Sequence, residues 1–399
     1  MLASYRDNFN RQWTPEKYGQ FLSRLSQRCG TPVVFRNCET PCFFPEALLR
    51  QMADAGAAMS VQLAGDINYL AAADLLIPEQ FRAQNPAPHP LFIQADFGVV
   101  RKPDGTLEPR LVEIQGFPSL YAYQIELAQN YSEVYGLPEN LTPLLSGRTP
   151  EQYRRLVSDA ILGGHDPENV VLLEIDPLRQ KTLADFLLTE KMCGVRTVDV
   201  AQVRKEGRTL VYDRDGRTVP IERIYNRVII DELMRKQIPL AFDFRDDLDV
   251  EWAGHPDWFF RISKFSLPYL RHPFVPRSQF LSEVGELPEA PENLVLKPLF
   301  SFAGLGVKVG PTQDEIDSVP AGERHQYLLQ ERVHFEPVIR TPYGMTNTEV
   351  RIMYVWAEKP EAVTTIIRMG RGKMMGVDHN KDLQWVGASA GFMPQSMLL

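Results

Sequence analysis

The sequence predicts a mixed α/β chain (α+β), and three observations predict it. The stretch PEALLRQMADAGAAMSVQLAGDINYLAAADLL carries apolar residues at three- and four-residue spacing, as amphipathic helices do. NVVLLEID, DPLRQKTLADFLLTEKMCG and VRTVDV form a strand–helix–strand succession. Strand-like runs lie on both sides of it: LFIQADFGVV and LEPRLVEIQ before, and NLVLKPLF, QYLLQERV, TEVRIMYVW and AVTTIIRM after.

Taken in order, residues 1–90 are expected to be mostly helical and without site chemistry. In residues 91–115, Asp104-Gly105 within KPDGT is a hairpin signal between two strands. With those two residues as the loop, residues whose numbers sum to 209 face each other. Asp96 then lies opposite Glu113, and Gln115 shares the face of Glu113 because strand side chains alternate. Helix and loop follow to a GGHDP break, then the βαβ pattern. That pattern lacks GxGxxG, so dinucleotide binding is not expected. TLVYDRDGRTVP reads as a hairpin, IERIYNRVII as a strand, and residues 236–258 as charged and irregular. The remaining strands carry two glycine-bearing loops, SFAGLGV and GRGKMMGVDHNKD.

Composition narrows the function classes. The chain has 399 residues, enough for two or three domains or one composite fold. Hydrophobic content of 44% and charged content of 24% exclude a disordered chain. The net charge of −8 argues against broad nucleic-acid binding while leaving room for a local basic cleft. No apolar run reaches the ~18 residues of a membrane span. The N-terminal MLASYRDNFNRQW has no apolar signal region, so a cytoplasmic location is expected. There Cys29, Cys38, Cys42 and Cys193 would be reduced. None sits in a CxxC pair and no fourth ligand has zinc spacing, so buried thiols are expected.

Five constellations carry chemistry. Asp96, Glu113 and Gln115 form either a solvated polar sheet face or a site for a divalent cation, which would relieve the cross-strand repulsion of the two carboxylates. Lys297 ends an apolar strand before Gly304 and Gly306, which let a loop approach a ligand closely. Lys264 opens SKFSLPYL, where a surface lysine is the plain alternative. In TEVRIMYVW, Glu349 and Arg351 share one face and Val350, Ile352 and Tyr354 the other. The charged face fits either a structural ion pair or a nucleotide site. Arg368, Arg371 and Lys373 sit among glycines and suit either an anion-binding loop or a solvated hairpin tip.

In this order the pieces resemble the ATP-grasp superfamily, in the circularly permuted branch typified by eukaryotic-type glutathione synthetase. QADFGVVRKPDGTLEPRLVEIQGFPS resembles its Asp-containing strand, turn and metal-binding E-x-N strand. YNRV resembles the segment with a substrate-binding Arg, and SKFSLPYL and VLKPLFSFAGLGV resemble the two nucleotide-lysine regions. YLLQERV is similar to the adenine-reading hinge. TEVRIMYVW and TTIIRMGRGK resemble the next strand and the substrate arginine with its loop. Three positions depart: Gln115 stands for Asn, Ser301 for a second metal-binding Glu, and Gln94 for a substrate-binding Arg.

The resemblance implies an ATP-grasp fold with a helical N-terminal region (1–90) and a permuted segment carrying the metal-binding hairpin (91–165). A Rossmann-like substrate domain (166–235) and a nucleotide-binding region (236–399) follow. It implies an ATP- and Mg²⁺-dependent ligase joining a small-molecule carboxylate to an amine through an acyl-phosphate. Lys264, Lys297, Gly304, Gly306, Gln330, Glu331, Val333, Glu349 and Lys373 would bind the nucleotide. Asp96, Glu113 and Gln115 would hold metal, and Arg227 and Arg368 would neutralise the substrate or acyl-phosphate. A homodimer is compatible with this reading; nucleic-acid and membrane partners are not expected. The rival readings are an ATP-grasp kinase, a nucleotide-binding protein without catalysis, and a structural or interaction protein.

Overall fold

Strand alternation organises the centre of the molecule. The computed structural model describes residues 1–285, 290–300, 304–372, 375–380 and 382–395. Its largest sheet has eight strands. Across the main path these are Cys42–Phe43, Gly387–Pro394, Pro360–Gly370, Gly344–Trp356, Phe92–Arg101 and Leu107–Gln115. Ile339–Thr341 and Leu141–Thr142 pair at its margins. The first strand runs parallel to its neighbour, and the remaining pairings are antiparallel.

Ala95, Phe97, Val350, Ile352 and Tyr354 face the back of this sheet and are buried. Helix Glu46–Gly65 covers them with Met52, Ala53 and Met59. Gly56 is required there: a Cβ would lie 2.1 Å from the Tyr354 hydroxyl oxygen. That hydroxyl donates to the Ala53 carbonyl at 2.9 Å and so pins helix to sheet. The N-terminal region is therefore part of the central layer. Helix Pro15–Cys29 begins on the Thr14 side chain, which accepts from the Lys17 amide at 3.2 Å, and ends at Gly30 with φ of 72°.

The βαβ pattern forms a four-stranded parallel sheet in the order Glu251–Ala253, Arg223–Asn226, Val170–Glu174, Arg196–Asp199. Helix Leu183–Cys193 is the crossover between its last two strands. Arg204–Glu206, Thr209–Arg214 and Arg217–Ile221 make a separate antiparallel sheet. Another antiparallel sheet has the order Ser278–Phe280, Tyr327–Glu331, Leu294–Pro298, Lys308–Val309. All four cysteines are buried free thiols. No helix among the described residues is long and apolar enough to cross a membrane.

Gly56→Ala should destabilise the fold by about 1–3 kcal/mol, the usual range for overpacking a filled core. Combining it with Tyr354→Phe, which removes the clashing oxygen, should cost less than the two single changes added together. Urea unfolding of the three variants checks this; an unchanged midpoint for Gly56→Ala would refute the close contact.

Candidate functional site

Three local features of the chain set the site. The first is the hairpin at 92–115. Its connection is five residues rather than two: the Lys102 amide donates to the Thr106 carbonyl, and Asp104 accepts from the Thr106 amide and hydroxyl. Facing residues near the turn therefore sum to 208, as in Arg101 with Leu107. A bulge at Val112 then restores 209, so Asp96 does face Glu113 and Gln94 faces Gln115. The bulge also frees the Val112 carbonyl, which accepts from Lys297 Nζ at 3.0 Å.

The second feature is Gly116, where a Cβ would meet the Trp258 carbonyl at 2.7 Å. This approach lays helix Asp257–Arg261 against the end of the hairpin. The Ser263-capped turn that follows then carries Lys264 Nζ to 3.9 Å from Glu113 Oε2. The third is Gly98, where a Cβ would overlap Val333 and Phe335 at 2.7 and 2.8 Å. The segment after Tyr327–Glu331 thereby lies on the central sheet.

The front of the central sheet is a ladder of charge. Arg351 stands directly opposite Asp96, and Glu349 opposite Arg368. Arg351 grips Asp96 with two bonds, Nε to Oδ1 at 2.5 Å and Nη2 to Oδ2 at 2.6 Å, and donates to Gln94 Oε1 at 3.0 Å. Arg368 bridges Asp96 and Glu349, the latter at 2.6 Å. Burial pushes the Asp96 carboxyl up, but the two guanidiniums outweigh it and hold it below the usual range. Burial dominates at Glu349, pushed up to about 7, and at Lys297, pushed down to about 8. Lys297 also donates to Gln330 Oε1 at 2.5 Å.

This floor lies in a cleft of about 440 Å³. One side of the cleft is apolar: Val295, Leu299, Val307, Val309, Val333 and Phe335, contributed by the 294–309 strands and the 331–335 segment. Gly304 lines it too, whereas Gly306, at φ of 73°, packs against Pro298. Among the buried donors without a hydrogen-bond partner in the described residues are Arg368 Nε and Gln330 Nε2. Both residues line the cleft.

Of the residues singled out from sequence, the cleft gathers Asp96, Glu113, Gln115, Lys264, Lys297, Gly304, Gln330, Val333, Glu349 and Arg368. Glu331 is exposed and its backbone N–H donates to the Arg277 carbonyl at 2.8 Å, so it is not part of the lining. Lys373 and Ser301 lie outside the described residues.

Arg227 requires a correction. It is buried away from the cleft, donating to Asp185 Oδ2 at 3.2 Å between the rings of Phe117 and Phe186. Asp185 in turn accepts the amides of Leu120, Ala122 and Tyr123 at the start of helix Tyr121–Tyr135. Arg227 is thus the counter-charge of a helix cap. Arg351 is the site residue that the sequence reading left unassigned, although alternation had already put it on Glu349's face. Lys181, Thr182, Ser263 and Arg332 also line the cleft and carry no local motif.

The metal set expected at Asp96, Glu113 and Gln115 does not fit a magnesium centre. Both Asp96 oxygens are taken by guanidinium groups. Turned so that its oxygen meets Arg351, the Gln115 amide accepts at 2.8 and 2.9 Å. Glu113 remains, with Arg351 at 3.7 Å and Lys264 at 3.9 Å, two cations that oppose a third. Among the described residues no three His, Cys, Asp or Glu side chains gather to hold a metal ion.

No protein-family model matches the chain, and no curated protein does. Solved structures do. One is a glutathione synthetase-like effector from Globodera pallida in its apo form, superposing with a TM-score of 0.61 at 11% identity. The match covers 95% of this chain and 96% of that one. The chain accordingly shares the mixed α/β fold of that glutathione synthetase-like effector.

Arg227→Leu should cost about 3–5 kcal/mol of stability, because it strands the buried Asp185 charge. Ligand affinity of the folded protein should not change. Guanidinium unfolding together with calorimetry on the folded fraction checks both; lost affinity at unchanged stability would make Arg227 a ligand residue after all.

Proposed function

We propose that this protein is an ATP-dependent ligase that activates a small-molecule carboxylate as its acyl-phosphate and passes it to an amine. The observation that carries the reading is the cleft itself: an apolar slot opening onto a floor where Lys264, Lys297, Arg351 and Arg368 converge. A nucleotide has the matching shape, a flat base at one end and a polyanion at the other. Valines and the backbone of 330–333 would hold the base, and the lysines the phosphates. The orphaned Nε of Arg368 and Nε2 of Gln330 would donate to ligand oxygens. In phosphoryl transfer a protein chiefly positions the partners and neutralises charge, and this floor is suited to that. The glutathione synthetase-like fold of the effector supports the ligase class.

One observation favours a second reading, nucleotide binding without catalysis: Asp96 and Gln115 turn their oxygens to Arg351. A phosphate-release screen over amino acids, short peptides and polyamines, with mass spectrometry of products, separates the readings. Phosphate release that requires an amine supports the ligase, and ADP formed together with a phosphorylated product and no free phosphate supports a kinase. ATP binding with no ADP formed supports the non-catalytic reading.

Lys297 supplies two further expectations. Removing one charge-assisted phosphate contact costs about 1.5–3 kcal/mol, so Lys297→Ala should weaken ATP binding roughly ten- to a hundredfold. Because burial pushes its ammonium down to about 8, the charge is present below that pH and lost above it. ATP affinity should therefore fall as pH rises through this region, by a step that Lys297→Arg abolishes. Calorimetric titrations across pH 6.5–9.5, about 1.5 pH units either side of that value, check it; an affinity independent of pH in the parent would remove Lys297 from the phosphate site.

A further inference from the structure

We propose that Arg351 occupies the place of the divalent cation, so that the cleft binds its nucleotide as the metal-free polyphosphate. This rests on the nucleotide reading above and specifies the chemical form of the ligand. The strand register puts Arg351 directly opposite Asp96, and Asp96 directly opposite Glu113. The guanidinium therefore projects between the carboxylates whose mutual repulsion a metal would otherwise relieve. It donates two bonds to Asp96, at 2.5 and 2.6 Å, donates to the amide oxygens of both glutamines of the hairpin, and lies 3.7 Å from Glu113. The donor oxygens a magnesium ion would need are thus already directed at a fixed positive charge.

Gln115 completes the substitution. Its amide oxygen accepts from Arg351 at 2.8 and 2.9 Å. Lys264, on the far side of Glu113 at 3.9 Å, adds a second cation to the same carboxylate. The floor carries Lys264, Lys297, Arg351 and Arg368 against Asp96, Glu113 and Glu349, an excess of positive charge before any ligand enters. A metal-free nucleotide is more negative than its magnesium complex. It gains more from such a floor, and the dication would be repelled by Arg351 and Lys264. Arg351 and Asp96 also fix each other through paired bonds, so the guanidinium is already in place when the phosphates arrive.

The test is an ATP titration of the full chain by calorimetry, once in excess EDTA and once in excess Mg²⁺. Mn²⁺ binding without nucleotide is followed in parallel by electron paramagnetic resonance. The expected result is affinity in EDTA equal to or tighter than in Mg²⁺, and a Mn²⁺ signal that the parent protein leaves unchanged. Arg351→Gln, which frees Asp96 Oδ1 and leaves Glu113 without its arginine neighbour, should bind Mn²⁺ and bind ATP at least about tenfold better with Mg²⁺ than with EDTA. Binding that in the parent is about tenfold tighter with Mg²⁺ overturns the proposal and leaves the nucleotide reading standing. So does Mn²⁺ capture by the parent that Glu113→Gln abolishes. Absence of nucleotide binding under both conditions overturns both. Should Arg351→Gln fail to fold, the parent measurements decide alone.

Discussion

The ion pair between Asp96 and Arg351 is the interaction on which the site depends. It joins strands Phe92–Arg101 and Gly344–Trp356, two parts of the chain more than half its length apart, at the middle of the central sheet. Asp96 is 1% exposed, and a lone carboxylate there would be untenable. Paired bonds from Arg351 and a further contact from Arg368 meet the desolvation cost, and the neighbouring strands are held in one register by the same contacts. Glu349, Arg368 and Glu113 take their positions from that register. The carboxylate and arginine part of the floor is thus a consequence of strand pairing.

Much of this was legible in the sequence, because strands alternate. In TEVRIMYVW the apolar residues Val350, Ile352 and Tyr354 face the helix and Glu349 and Arg351 the cleft. The facing of Asp96 and Glu113 was also read, although by a route the structure does not follow. The expected two-residue turn is a five-residue connection, and the bulge at Val112 makes good the difference. A bulge has no reliable local signature, since it answers to what the neighbouring strand and Lys297 require.

Partners at a distance were not legible. Arg227 sits at a strand end, a place suited to a ligand contact, yet its charge serves Asp185 on a helix 42 residues earlier. Sequence places the backbone and gives the face of a side chain; which of several oppositely charged groups it meets is decided by packing. The same limit applies to Asp96 and Gln115. Their oxygens and spacing suit a metal, and nothing in the hairpin itself announces that an arginine from beyond residue 340 will lie against them.

The electrostatics of the whole chain and of the cleft have opposite signs, and that contrast has a function under the proposed reading. The protein carries a net charge of −8. The floor of its cleft concentrates Lys264, Lys297, Arg351 and Arg368 behind apolar walls, where the low dielectric strengthens their field. A nucleotide small enough to enter would reach the positive floor. Burial weakens the hold of Lys297 on its proton, and a phosphate that supplies the counter-ion would strengthen it again.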